Sequence, residues 1–420
     1  MCGNMSSPVH HYLLCPFGSG GDVFPFIGIG KGLSARGHRV TIITLEVFEK
    51  AIRDAGLEFA SVGTKEDFER IANDPRIWHP IHGPRAVFRM GADAIRVYYE
   101  KLCSLTVRPE ECTIIAPATV FGARLAREKL GVRLLTVHLQ PAVLLSLHDT
   151  PVLLSAAPWL SRLPMMVKRL LFSLPNPINQ MVSPVLRREC LAEGVQAPRH
   201  AYPDWWESPD GTIALFPRWF AAPQPDWPSP LCQHTFPRED LAEGAVLGPE
   251  LEAFLAAGDK PVVFTPGTGH RQVRKFFVEA LDAVQRLGRR AIFATRQVHD
   301  LPPLPSSVIA VEYVPFSLLL PRCAALVYHG GIGTCSQALV AGIPHLVMAM
   351  AHDQPDNANR LRRLGVGMGI TPRQFKGSRV AECLKHLLES SEVAQHCADC
   401  ARRMQDDPQT ESLLDWIEEH

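Results

Sequence analysis

The strongest constraint on this chain is a local pattern that occurs once in each half: a short apolar run, a glycine turn, then a stretch with helical spacing. In the first half His11 to Pro16 reads as a buried strand, Gly18-Ser19-Gly20-Gly21 as the turn and Phe24 to Arg36 as the helix. In the second half Val262 to Thr265 is the strand, Gly267-Thr268-Gly269 the turn and Arg274 to Leu287 the helix. Strands that alternate with helices are joined by crossovers, and crossovers produce parallel sheets covered on both faces.

The alternation continues on either side of a break. Arg39 to Thr44, Thr113 to Ala116 and Arg133 to His138 read as strands, with Val47 to Ala55 and Phe121 to Leu130 helical. Ala291 to Ala294, Val308 to Val311, Ala325 to Tyr328 and His345 to Met348 follow in the second half, with helices at Gly333 to Ala341 and Asn357 to Leu364. The last stretch, Val380 to His420, is helical apart from Pro408. At 420 residues the chain exceeds the size at which one core usually stops growing, so two doubly wound α/β domains are expected. Prolines at 223, 225, 228, 230 and 237 predict an extended connection. The division that follows is 1–222, a Pro-rich linker 223–250, a second domain 251–395 and a terminal helical segment 396–420.

Charge and cysteine content narrow the function. Lys+Arg and Asp+Glu both total 43, with no long run of one sign, so nucleic acid is not an expected partner. The eleven cysteines are scattered, and the close pair Cys397 and Cys400 lacks a second pair or histidines at zinc spacing, so reduced thiols and a cytoplasmic location are expected. The polar start, Met1 to Pro8, does not read as a signal peptide. The apolar region Leu134 to Leu174 is broken by charges and prolines, so it holds no uninterrupted span of about 20 apolar residues. It can still touch a membrane, because Arg162, Lys168 and Arg169 could bind an anionic lipid surface.

Three places carry chemistry. His329-Gly330-Gly331-Ile332-Gly333-Thr334 follows a strand and opens a helix, an arrangement that offers backbone N–H groups and a favourable dipole to a phosphate. Taken alone, such glycine spacing is equally compatible with an ordinary strand-to-helix turn. About twenty residues later Asp353 and Gln354 set a carboxylate beside a carboxamide, which suits adjacent sugar hydroxyls; the plainer reading makes Asp353 a helix N-cap and leaves Gln354 solvated. Asp22, just past the first glycine turn, is either a general base or an N-cap.

Together these segments resemble the large inverting glycosyltransferase family that includes plant secondary-product, sterol and antibiotic glycosyltransferases. FGSGGDVFPFIGIGKGLSARGHRVTI, NDPRIWHP, ALFPRWFAAPQPDWPSP and AHDQPDNANRL are similar in particular to the rhamnosyltransferases of bacterial rhamnolipid synthesis. The resemblance implies the GT-B fold: two facing Rossmann-like doubly wound domains, acceptor mainly on the first, donor mainly on the second, and a C-terminal helix crossing back to the first. It further implies that His329, Gly331, Gly333 and Thr334, with Thr268, hold the donor diphosphate. Tyr313, Val314 and Gln337 would meet the nucleoside, and Asp353 and Gln354 the donor sugar. Phe316 stands where plant members carry a glutamine, so that nucleoside contact is missing. Asp22 replaces the family's histidine base, and Ala116-Pro117-Ala118-Thr119 lacks the acid that orients that histidine, which suggests a base acting alone.

The expected reaction is therefore metal-independent, inverting transfer of a hexose from a nucleotide diphosphate sugar to a hydroxyl of a lipophilic or aromatic acceptor. UDP-glucose is the favoured donor because Gln337 can bond a ribose, with dTDP-rhamnose as the second choice, and no cofactor is expected. The competing readings are a non-catalytic nucleotide-sugar-binding protein and a nucleotide-sugar epimerase of similar build. A redox dinucleotide enzyme fits less well, because the first turn lacks the full glycine spacing and no acid stands clearly at the expected distance.

Overall fold

A computed structural model of the chain describes residues 9–155, 157–174, 176–237, 245–267, 273–407 and 410–420. Its frame is two parallel sheets. The first has the order β3-β2-β1-β4-β5-β6-β7 and the second β10-β9-β8-β11-β12-β13. In chain order the first sheet consists of β1 (His11–Leu14), β2 (Arg39–Thr44), β3 (Glu58–Ser61), β4 (Cys112–Ala116), β5 (Arg133–His138), β6 (Thr212–Leu215) and β7 (Leu231–His234). The second consists of β8 (Val262–Thr265), β9 (Ala291–Ala294), β10 (Val308–Val311), β11 (Ala325–Tyr328), β12 (His345–Met348) and β13 (Gly367–Ile370). The central strands β1, β4, β8 and β11 are buried at every residue, the mark of a sheet covered by helices on both faces.

Strand order reverses at two points. From β1 the chain winds outward to β3 and returns on the other side as β4; from β8 it winds to β10 and returns as β11. At such a reversal the loops leave the adjacent strand ends in opposite directions and open a crevice. Asp22 follows β1, and Gly267 and His329 follow β8 and β11, so the candidate residues emerge at both crevices.

Several local expectations need correction. Leu231–His234, read from its prolines as extended connection, pairs with β6 as the edge strand β7. A strand only four residues long and half exposed at a sheet edge tolerates flanking prolines, because one side of its backbone has no partner to satisfy. The helix after β1 begins at Gly20 instead of Phe24, since Ser19 caps it and the glycines are helical. The terminal segment is three helices, Gly377–Glu389, Ser391–Asp406 and Thr410–Glu419.

The last helix packs on the first sheet's helix Gly20–Ala35. A Cβ at Gly32 would lie 2.6 Å from Leu414, so that glycine lets the helices approach. Leu413, Leu414 and Ile417 are buried there, and Arg36 pairs with Glu411, Asp415 and Glu418. A second link joins the sheets nearer the strand ends: Asp149 accepts from Arg360 and Arg363, each at 2.9 Å, and Val152 N–H donates to Asp356 at 3.0 Å.

Candidate active site at the facing strand ends

On the first-sheet side, Gly18 takes a φ of +136°, open to glycine and strained for other residues. A Cβ at Gly18 would lie 2.3 Å from Asp22 Oδ2, so this glycine makes room for the carboxylate. Ser19, not Asp22, is the N-cap. Asp22 sits three residues into the helix, where its Oδ2 accepts from Ser19 N–H at 2.7 Å and from the Ser19 hydroxyl at 3.1 Å. Burial pushes the Asp22 carboxyl above the usual range, while the two bonds from Ser19 pull it down.

On the second-sheet side, the His329 imidazole lies between two glycines. A Cβ at Gly267 would stand 2.5 Å from the ring, and one at Gly331 would stand equally close at 2.5 Å. Gly267 and Gly330 also hold φ values of +90° and +99°. These glycines are thus required by geometry: they fold the backbone around the imidazole at the switch between β8 and β11. Gly331 caps the helix Ile332–Ala341, and Gly333 and Thr334 lie in its first turn, where N–H groups have no intrahelical acceptor. Gln337 follows about one turn later on the same helix and is partly exposed. A Cβ at Gly333 would lie 3.9 Å from the Gly21 backbone, so the N-termini of the two helices meet across the seam between the sheets.

Asp353 is the N-cap of helix Gln354–Arg363 by position, but its carboxylate turns to Asn357, which donates to it at 2.7 Å. The same Asn357 amide group donates to the Gly330 carbonyl at 2.9 Å, so one buried side chain ties the glycine turn to the acid. The Asp353 carboxyl is raised to about 7, first by burial and next by the nearby negative charge of Asp22. That coupling brings the two sheets' acids into one electrostatic neighbourhood. Gln354 is 2% exposed, which corrects the solvated alternative: its Oε1 accepts from the N–H groups of Met350 and Ala351 at 2.8 and 3.3 Å.

Tyr313 and Val314 follow the edge strand β10, Tyr313 exposed and Val314 buried. Thr268 lies outside the described residues. Among the described residues, no group of three or more His, Cys, Asp or Glu is arranged to hold a metal ion, and no helix is long and apolar enough to cross a membrane.

The sequence reading missed the contacts that close the seam. Trp78, from the first half, meets the rings of His329 and His352 edge-on, with centroids 6.3 and 6.0 Å apart. His352 has a φ of +60°, rare for a residue with a side chain, and its Nε2 donates to the Ile77 carbonyl at 2.8 Å. Arg360 and its partner Asp356 are both buried, 2.7 Å apart, with Asp149 completing the cluster. Burial alone would raise the Asp149 carboxyl, but Arg360 and Arg363 outweigh it and hold it below the usual range. A charge inside an otherwise apolar stretch, as at Asp149, is the signal that was there to be read.

Comparison with known proteins agrees with this layout. Residues 12–145 match the family model described as Glycosyltransferase family 28 N-terminal domain, and residues 278–419 match the model described as Erythromycin biosynthesis protein CIII-like, C-terminal domain. The chain is 29% identical over 382 residues to the O-mycaminosyltylonolide 6-deoxyallosyltransferase of Streptomyces fradiae, covering 86% of this chain and 85% of that one. Among solved structures, the glycosyltransferase of kitacinnamycin superposes with a TM-score of 0.72 at 19% identity, covering 98% of this chain and 99% of its own. A spinosyn rhamnosyltransferase complexed with thymidine diphosphate gives 0.69 at 17% identity, covering 97% and 100%. The chain is an enzyme that transfers sugars, a glycosyltransferase of the two-domain GT-B fold.

Proposed function

We propose that the enzyme moves a hexose from a nucleotide diphosphate sugar to a hydroxyl of a lipophilic or aromatic acceptor, with inversion and without a metal. The observation that carries this reading is the meeting of two helix N-termini, one bearing Asp22 and the other following His329 and its glycines. In this reading Asp22 takes the proton of the acceptor hydroxyl as its oxygen attacks the anomeric carbon. The bond from that carbon to the diphosphate breaks on the opposite face. The negative charge left on the diphosphate is met by His329, Thr334 and the N–H groups at Gly331 and Gly333, with Thr268 beside them.

Asp353 and the Gln354 NH₂ group would hold the sugar. Tyr313 would stack on the base, Val314 would pair with its edge and Gln337 would bond the ribose. Gln337 favours a uridine donor such as UDP-glucose. The neighbouring rhamnosyltransferase solved with thymidine diphosphate supports the second choice, dTDP-rhamnose. The acceptor would lie mainly against 1–222 and the donor against 251–395, joined by 223–250, with 396–420 returning to the first domain.

The test is incubation of the chain with each donor and a panel of hydroxylated lipophilic acceptors, with and without chelator. Release of nucleotide diphosphate that needs both donor and acceptor, an inverted anomeric linkage by NMR and no loss with chelator are expected. A metal-reversible loss of rate, retention of configuration, or donor conversion without acceptor would each contradict the reading.

A further inference from the structure

The helix Met165–Ser173 is turned inside out for a protein in water. Its only buried residue is Lys168, whose Nζ donates to the Leu147 carbonyl at 3.1 Å. Its apolar side chains point outward. Met166 is 86% exposed and Leu170 65%, and with Leu174 they follow one another at helical spacing along one face. Leu171 is exposed beside them, and Trp159, 58% exposed, stands before the helix. A contiguous apolar patch of this kind marks a contact surface, not a random exposed residue.

The charge beside the patch in the sequence is of one sign. No Asp or Glu occurs between Asp149 and Glu189, whereas Arg162 and Arg169 do; of the other basic residues there, Lys168 is buried, Arg187 donates to the Arg199 carbonyl and Arg188 pairs with Glu189. Arg162 and Arg169 are exposed at the edges of the apolar face. The hydroxyls of Ser161 and Ser173 donate to carbonyls of their own turns, at 2.8 and 2.7 Å, so they ask nothing of a partner. Exposed aliphatic side chains, an interfacial tryptophan and flanking arginines suit lipid chains beneath anionic headgroups. A second copy of the chain would bring the same arginines against one another, which disfavours a two-fold dimer through this face.

We propose that residues 159–174 form the membrane-docking surface of the enzyme, taking the surface of an anionic lipid bilayer. Trp159 begins four residues after Ser155, in the stretch whose Val152 and Ser155 bond Asp356 and the Ala349 carbonyl beside the candidate donor residues. If the acceptor is lipophilic, as the proposed function has it, this places the site beside the phase in which that acceptor dissolves. The docking itself does not depend on that reading.

Flotation of the full chain with vesicles tests the proposal without any sugar transfer. Vesicles of phosphatidylcholine alone are compared with vesicles containing phosphatidylglycerol, at low and high salt. The parent is expected to float with the anionic vesicles, less so at high salt. Met166→Asp/Leu170→Asp should abolish flotation on the anionic vesicles. Arg162→Glu/Arg169→Glu should weaken it by roughly 25-fold or more on anionic vesicles, since each basic residue near such a surface contributes about fivefold. Both variants alter exposed positions, so their unfolding midpoints should match the parent's. A parent that stays with soluble protein, or a Met166→Asp/Leu170→Asp variant that floats like the parent, overturns the proposal. So does a parent dimer that this variant dissociates, because the face would then be covered by a second copy.

Discussion

Asp353 and Gln354 stand side by side in the chain but meet different physical demands. The raised Asp353 carboxyl keeps its proton in the folded state up to about pH 7, while the unfolded chain releases it near pH 4. Stability from this group is therefore fully present below the unfolded value and is lost as pH rises through about 7. Asp353→Asn cannot show that loss. Its unfolding midpoint is expected to rise relative to the parent's between pH 5 and pH 8, and parallel pH profiles would show that the carboxyl is not raised. Gln354→Ala leaves the Met350 and Ala351 N–H groups without their acceptor, so it should cost about 1–3 kcal/mol in urea unfolding besides weakening donor use. His329→Ala should chiefly lower turnover, on the order of 10²-fold.

At the scale of elements, the central strands were legible because burial on both faces demands an apolar run whatever the tertiary detail. Arg39–Thr44, Arg133–His138, Ala291–Ala294, Ala325–Tyr328 and His345–Met348 form at the residues their patterns predict. The strands that escaped reading are β3, β7 and β13, which are partly exposed, and the buried β6. The ends of β1, β11 and β12 were legible, and the places of Asp22, His329, Asp353 and Gln354 just past those strands follow from them. Which neighbours His329, His352 and Arg360 meet was not legible, because Trp78, Ile77 and Asp149 come from sequence positions hundreds of residues away. Asn357 shows how one side chain joins two elements. Asn357→Ala frees the Gly330 carbonyl and Asp353 together, and is expected to cost about 1–3 kcal/mol in unfolding and to weaken nucleotide diphosphate binding measured by calorimetry. Unchanged binding would show that the glycine turn holds its shape without this tie.

Across the whole molecule, the two sheets are joined by the terminal helix and, nearer the site, by the Asp149–Arg360–Asp356 cluster. Removing one partner from a buried ion pair typically costs about 3–5 kcal/mol, because the remaining charge keeps its desolvation penalty. Asp149 is partly exposed and Arg360 retains Asp356, so Asp149→Ala should cost less than that. Scattering is expected to show a wider separation of the halves, and a raised KM for donor is expected with the unfolding midpoint only modestly lowered. A variant with the parent's scattering profile and KM would show that the terminal helix and the Trp78 and His352 contacts set the approach without Asp149.

The central claim is that Asp22, delivered by the first sheet, serves a sugar held by the second. Asn at this position keeps a group able to accept from Ser19, so Asp22→Asn should fold with the parent's midpoint and bind donor normally. General-base catalysis typically contributes roughly 10² to 10⁴-fold, so transfer to an alcohol acceptor should fall by that factor. A thiol acceptor ionises nearer neutral pH and should lose much less. The decisive measurement is the rate of transfer by Asp22→Asn to matched alcohol and thiol acceptors. A large loss on the alcohol with the thiol largely spared is expected, and an alcohol rate close to the parent's would show that Asp22 only closes the capping box with Ser19.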